Sequence, residues 1–66
     1  NHSQMIANIM SARMKELGMT QKMLAEKMNC TQQYISKILK GRENLSLEAI
    51  NKIENALAIH FLQMNE

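Results

Sequence analysis

Proline and tryptophan are absent from the 66-residue chain, and it has only one cysteine, two glycines, one tyrosine and one phenylalanine. A lone Cys30 cannot form an internal disulfide, and one cysteine with two distant histidines does not give the ligand spacing of a zinc site. The chain has no signal peptide, no glycine-rich phosphate loop and no apolar run of ~18 residues. We therefore expect a domain of the reducing cytoplasm without a membrane span, a metal or another cofactor.

The groups that an active site needs are also missing. A chain of this length forms one small domain that buries only ~60% of the surface of its unfolded form. His2 lies near the start, His60 lies in the tail, and Cys30 has no histidine neighbour in sequence, so no nucleophile, base and orienting group come together. We expect no enzymatic activity. Cys30 is interpreted as a semi-buried structural residue, with redox sensing as the alternative.

What the chain does have is an uneven distribution of charge. Its net charge is +2, but residues 20–42 contain five basic residues and one glutamate, whereas residues 43–66 contain one lysine and four glutamates. A basic middle and an acidic end suit a chain that presents one face to a polyanion. Taken alone, this distribution of charge is equally consistent with an ordinary solvated surface.

The spacing of apolar residues predicts helices. In residues 5–17 they recur three and four positions apart, and Gly18 ends this first helix. Its stripe is formed by Ile6, Ile9, Met10, Met14 and Leu17. Thr20 is a good N-cap for a second helix, which Asn29 closes in the left-handed conformation. The buried stripe of that helix consists of Leu24, Ala25 and Met28.

Thr31, only two residues after Asn29, is the N-cap of a third helix, which must cross the second at a steep angle. This arrangement is a helix-turn-helix. By spacing, the third helix buries Ile35, Ile38 and Leu39. Its opposite face carries amide, hydroxyl and ammonium groups from Gln32, Gln33, Ser36, Lys37 and Lys40.

After Gly41 and a polar loop over residues 42–45, Ser46 caps a fourth helix with Glu48 in its first turn. The stripe of this helix is Leu47, Ile50, Ile53 and Leu57. The tail, residues 58–66, fits a short helix or an extended dimer arm. The chain begins with Asn1, so residues 1–4 are expected to be a disordered start or a remnant of cloning.

Two segments carry a family resemblance: residues 18–28, GMTQKMLAEKM, and residues 31–38, TQQYISKI. Together with the KGR of residues 40–42, they resemble the Cro and phage-repressor (XRE) helix-turn-helix family over roughly residues 6–57. The resemblance implies a compact all-α, four- to five-helix, lambda-repressor-like DNA-binding domain over residues 5–57, with its helix-turn-helix at residues 20–39. Such domains usually work as two-fold dimers, to which the tail can contribute.

The residue types suit this function. An α-helix fits the major groove, and an amide can donate and accept together, so Gln32 and Gln33 can read an adenine edge, while Lys37 suits a guanine edge or a phosphate. Thr31 and Ser36 are expected to contact bases or backbone. By the resemblance, Gln21 bonds a phosphate and braces Gln32. The other expected backbone contacts are Tyr34, Lys40, Arg42 and Asn44.

The sequence departs from the family pattern in three ways. Asn29 replaces the usual turn glycine, and Leu45 stands near a common proline. Met14 and Leu39 occupy the positions where the family often pairs an arginine with a glutamate. Because well-packed apolar residues can replace a buried ion pair without loss of stability, we predict a direct contact between Met14 and Leu39.

Two functions fit the sequence. The first is a sequence-specific regulator of transcription that binds double-stranded DNA as a homodimer, most simply a repressor. The second is the antitoxin of a toxin–antitoxin pair, which binds a protein partner and its own operator. The acidic fourth helix and the apolar tail could bury against a twin subunit or a basic toxin, and the sequence does not decide between them. The apolar tail residues are Ile59, Phe61, Leu62 and Met64.

Overall fold

A computed structural model describes residues 2–61, and this range contains four α-helices and no strand. The helices are α1 (Ser3–Leu17), α2 (Gln21–Met28), α3 (Gln32–Leu39) and α4 (Leu47–Leu57). Helices α2 and α3 pack on each other, α1 lies against α3 and α4, and α4 also lies against α2. The predicted all-α helix-turn-helix fold is confirmed. None of these helices is long and apolar enough to cross a membrane.

Three helices begin at the predicted caps. The side-chain oxygens of Thr20, Thr31 and Ser46 each accept a hydrogen bond of 3.1 Å from the backbone N–H three residues later. Each bond satisfies one of the N–H groups that the first turn of a helix leaves without a partner. The starts of α2, α3 and α4 are therefore fixed by local side-chain chemistry.

Three helices end on a residue in the left-handed conformation. Gly18 ends α1 with φ 64° and Asn29 ends α2 with φ 57°, both as predicted. Helix α4 ends at Ala58 with φ 55°. An alanine in this conformation brings its Cβ against the following carbonyl oxygen, at a cost of ~1–2 kcal/mol. The end of α4 is therefore strained, and the end of α2 less so, because asparagine tolerates this conformation better than alanine does.

All four helices contribute to one apolar core. Its largest fully buried side chains are Met10, Leu24, Ile35, Ile38, Ile53 and Leu57. Met14 belongs to this core, and Leu39 packs against it. Met14 and Leu39, which stand where the family often has an arginine and a glutamate, thus both lie in apolar surroundings. Their direct contact stays a prediction.

Arg13 links the first and last helices by a contact that the sequence pattern did not reveal. Its Nε donates a hydrogen bond of 2.9 Å to the carbonyl oxygen of Leu57, in the last turn of α4. Its guanidinium also pairs with Glu16 at 3.2 Å. A cation at the C-terminal end of a helix is favoured by the helix dipole, so Arg13 supports the strained end of α4.

Two apolar residues of the predicted stripes are exposed. Leu17 is 43% exposed and Leu47 is 63% exposed. Leu17 is the last residue of α1 and Leu47 the first of α4, and at these helix ends the neighbouring helices do not cover the stripe. Apolar spacing along one helix identifies the face that packs on the core, but it does not show how far toward each end that face is covered.

The ends of the chain also differ from expectation. Ser3 and Gln4 belong to the first turn of α1, so the disordered start predicted for residues 1–4 is wrong at these two positions, while Asn1 lies outside the described residues. Residues 59–61 form neither helix nor strand, and Ile59 and Phe61 pack against the chain's own core. The expectations for residues 62–66 fall outside the described range.

Ala58→Gly should stabilise the fold. Relief of the Cβ strain is worth ~1–2 kcal/mol, and the greater freedom of glycine in the unfolded chain offsets ~0.4–1 kcal/mol of it. We expect a gain of about 0.5–1 kcal/mol in the free energy of unfolding, measured by thermal or urea denaturation followed by circular dichroism. The matched control is Ala12→Gly on the exposed side of α1, which should lose ~1 kcal/mol. A loss of stability in both variants would contradict the left-handed end of α4.

Candidate nucleic-acid interface

The outward face of α3 is polar, and its inward face is buried. Ile35 and Ile38 are 0% and 1% exposed, respectively. At 3.6 residues per turn, the polar residues span about 140° of the helix circumference on the opposite side. Of these, Gln32, Gln33, Lys37 and Lys40 are exposed and Ser36 is half-buried. The buried isoleucines hold the helix in place, so the position of the polar face is fixed by the core.

The N-terminal ends of α2 and α3 meet at this face. Gln21, Gln32, Gln33 and Ser36 line one open hollow of about 410 Å³. Neither helix has an acidic residue in its first turn. Because the N-terminal end of a helix carries a partial positive charge and free N–H groups, two such ends side by side favour a phosphate. Gln21 and Gln32 line the same hollow, but no hydrogen bond joins their side chains within residues 2–61, so the predicted bracing of Gln32 by Gln21 stays a prediction.

Thr31 caps α3 through its side-chain oxygen, and this leaves its hydroxyl proton available. Its oxygen accepts the backbone N–H of Tyr34, which is the cap of α3. A hydroxyl has one proton to donate besides the lone pairs that accept, and Thr31 is exposed. The same side chain can therefore cap the helix and donate to a base or a phosphate at the start of α3.

Positive charge flanks the glutamines. Lys37 lies on α3, Lys40 is the C-cap of this helix, and Arg42 follows in the loop of residues 42–45, where Asn44 is exposed as well. None of these three cations forms an ion pair with another described residue. They are therefore available to a polyanion, and Arg42 and Asn44 extend the surface beyond the end of the helix.

Tyr34 lies at the margin of this face. Its half-buried ring packs against the core and lines a cavity of about 200 Å³ together with Met28, Cys30 and the first turn of α4. Burial raises the pKa of the Tyr34 phenol, and the nearby Glu43 carboxylate and Cys30 thiol raise it further. The hydroxyl therefore stays protonated at neutral pH and can act as a donor. Its predicted contact with a phosphate or a sugar stays a prediction.

Sequence reasoning missed the residues that hold the loop after α3. Ser3 Oγ donates a hydrogen bond of 2.8 Å to the carbonyl oxygen of Glu43, across 40 positions of the chain. No local sequence pattern predicts such a contact, because a serine near the start of a helix is usually interpreted as an N-cap or as a solvated residue. The loop is thus held by a residue near the start of the chain.

The described residues also contain histidine, cysteine and acidic side chains. No three of their histidine, cysteine and acidic side chains come together as a metal site. Cys30 is a free, half-buried thiol. The chemical character of the surface is therefore set by the amides, hydroxyls and cations around α3.

Comparison with known protein families matches the model of the helix-turn-helix family HTH_3 to residues 9–63. Searches among curated proteins and among solved structures give no significant match. The matched range holds all of α2, α3 and α4 and most of α1, which is more than half of the chain. The sequence motifs, the four-helix fold and this match agree that the chain belongs to the XRE-type helix-turn-helix family, whose members are DNA-binding regulatory domains.

Proposed function

We propose that the protein is a sequence-specific repressor of transcription that binds double-stranded DNA as a homodimer and inserts α3 into the major groove. The observation that carries this proposal is the exposed pair Gln32 and Gln33 at the N-terminal end of α3, on a helix whose other face is buried. The major groove is ~12 Å wide and admits an α-helix, and residues at the start of that helix come closest to the base edges.

Bases and backbone are contacted by different residues in this proposal. Gln32, Gln33 and Lys37 face the bases, and Thr31 and Ser36 reach bases or backbone. Phosphates and sugars are contacted by Gln21, Tyr34, Lys40, Arg42 and Asn44. Contacts to the backbone set the position and much of the affinity, whereas contacts to base edges carry sequence information.

The dimer is proposed to form along α4 and the tail. Two-fold symmetry would place the two α3 helices about one turn of DNA apart, ~34 Å, on a near-palindromic site. Since Ile59 and Phe61 pack on the core of their own chain, their contribution to such an interface is limited to the surface they leave exposed. Leu47, which is 63% exposed at the start of α4, remains available.

A second candidate function, the antitoxin, is favoured by the same exposed Leu47 on the acidic helix. Glu48 in the first turn of α4 adds negative charge beside Leu47, which suits a basic protein partner. A stable complex of defined stoichiometry with the product of a neighbouring gene, together with loss of that protein's toxicity, would support this candidate over a simple repressor.

Gln33→Ala should relax sequence preference. We first select a target duplex from a random pool with the unaltered chain, and then measure the affinity for this target and for single-base variants of it by fluorescence anisotropy. Loss of a bidentate amide contact should cost ~1–3 kcal/mol on the target and flatten the preference at one or two base pairs. An equal loss on target and random duplexes would contradict base reading by Gln33.

Arg42→Ala should weaken binding to all duplexes alike. Removal of one phosphate contact lowers the slope of log affinity against log salt concentration by about one unit. The matched control is Lys15→Ala, which removes one positive charge from the last turn of α1, outside the proposed contact residues. A control that changes the slope as much as Arg42→Ala would show that net charge, and not the loop, sets the affinity.

The proposed dimer should be visible in the selected DNA and in solution. We expect a motif with two inverted half-sites whose centres are about 10 base pairs apart, and a complex of two chains per duplex in analytical ultracentrifugation. A single half-site bound by one chain, at protein concentrations that saturate the DNA, would contradict the dimer.

A further inference from the structure

The loop that carries Arg42 and Asn44 has few internal restraints. Residues 42–45 belong to no helix, and none of them takes part in a backbone–backbone hydrogen bond within the described range. A loop of this kind samples many conformations unless other parts of the protein hold it, and each conformation lost on binding DNA reduces the affinity. The contacts that hold this loop therefore affect how well Arg42 is positioned against a phosphate.

Ser3 supplies the hydrogen bond that restrains the loop. Its Oγ donates to the carbonyl oxygen of Glu43 at 2.8 Å, and Glu43 lies between Arg42 and Asn44. At 8% exposure, Ser3 is the one polar residue that is buried among residues 2–61. A shielded hydrogen bond competes less with water than an exposed one, so it can fix the direction of the Glu43 peptide group.

Gln4 adds a second contact at the start of the loop. Gly41 has φ 78°, and a Cβ placed on it would collide with the side-chain amide oxygen of Gln4 and lie 3.2 Å from Gln4 Cα. The first turn of α1 is thus packed closely against Gly41. Contacts on both sides of Arg42, at Gly41 and at Glu43, come from two consecutive residues of α1.

We propose that Ser3 and Gln4 are positioning residues for DNA binding: the first turn of α1 acts as a latch that holds the 42–45 loop in the conformation in which Arg42 meets the phosphate backbone. This inference rests on the proposed function, because it concerns the approach of Arg42 to DNA. It assigns a binding role to residues that themselves touch no base and carry no charge.

The test is a double-mutant cycle in the full chain. Ser3→Ala is combined with Arg42→Ala, and the affinity for one fixed duplex is measured over a series of salt concentrations. We expect Ser3→Ala alone to weaken binding about 3- to 10-fold, the scale of one lost hydrogen bond, and to lower the salt slope by up to one unit. In the Arg42→Ala background, Ser3→Ala should have a much smaller effect, because the loop cation that it positions is gone and only the Asn44 contact remains.

Controls separate positioning from general stability. Ser11→Ala removes the same hydroxyl from an exposed position of α1 and should bind as the unaltered chain does. Ser3→Thr keeps the hydroxyl and should restore most of the affinity. Gln4→Ala, at an exposed position, removes the second contact of the latch and should also be non-additive with Arg42→Ala, so the proposal is testable even if Ser3→Ala unfolds.

A measurement on the free protein, without DNA, tests the restraint of the loop independently of the proposed function. Backbone ¹⁵N relaxation of the free protein should show lower order parameters at residues 42–44 in Ser3→Ala and unchanged ones in α3. Equal losses of affinity in both Arg42 backgrounds, or unchanged loop order in Ser3→Ala, would overturn the latch while leaving DNA binding intact. If the unaltered chain and Ser11→Ala bind no duplex at low salt, the proposed function fails, and the binding role of the latch fails with it.

Discussion

The reversal of the chain between α2 and α3 is the constraint on which the rest of the structure depends. Asn29 takes the left-handed conformation, the N–H of Cys30 bonds the carbonyl oxygen of Ala25 at 2.9 Å, and Thr31 already caps the next helix. So short a turn leaves little freedom for the angle between the helices, and burial of Leu24 on one and Ile35 on the other fixes it. The polar face of α3 is directed outward because the turn and the burial of Leu24 and Ile35 hold the apolar face of this helix inward.

This geometry separates stability from recognition. Helices of eight residues are marginal alone, so α2 and α3 depend on the core that α1 and α4 complete. The side chains proposed to read DNA, Gln33 and Lys37 among them, are exposed and take no part in that core. Substitutions at such positions usually change stability by less than ~0.5 kcal/mol. The recognition face can therefore change while the scaffold stays the same.

Features set by neighbours in sequence could be predicted, and features set by neighbours in space could not. The caps at Thr20, Thr31 and Ser46 and the left-handed Asn29 follow from local chemistry, and the period of the apolar residues placed the glutamines outside. The exposure of Leu47 and the hydrogen bond from Ser3 to Glu43 depend on which element of the fold lies opposite each residue. The apolar pattern of a single helix carries no information about that. The exposed face of α3 could thus be derived from the sequence, whereas the support of the loop that follows it required the fold.

We propose that DNA lies against α3, the start of α2 and the loop of residues 42–45. Titration of the ¹⁵N-labelled protein with a duplex, followed through the changes in amide chemical shift, tests this interface. We expect the largest changes at Gln21, at residues 31–37 and at residues 40–44, and we expect them to weaken as salt is added. Changes centred on α4 that left the amides of α3 unaltered would contradict the proposed interface.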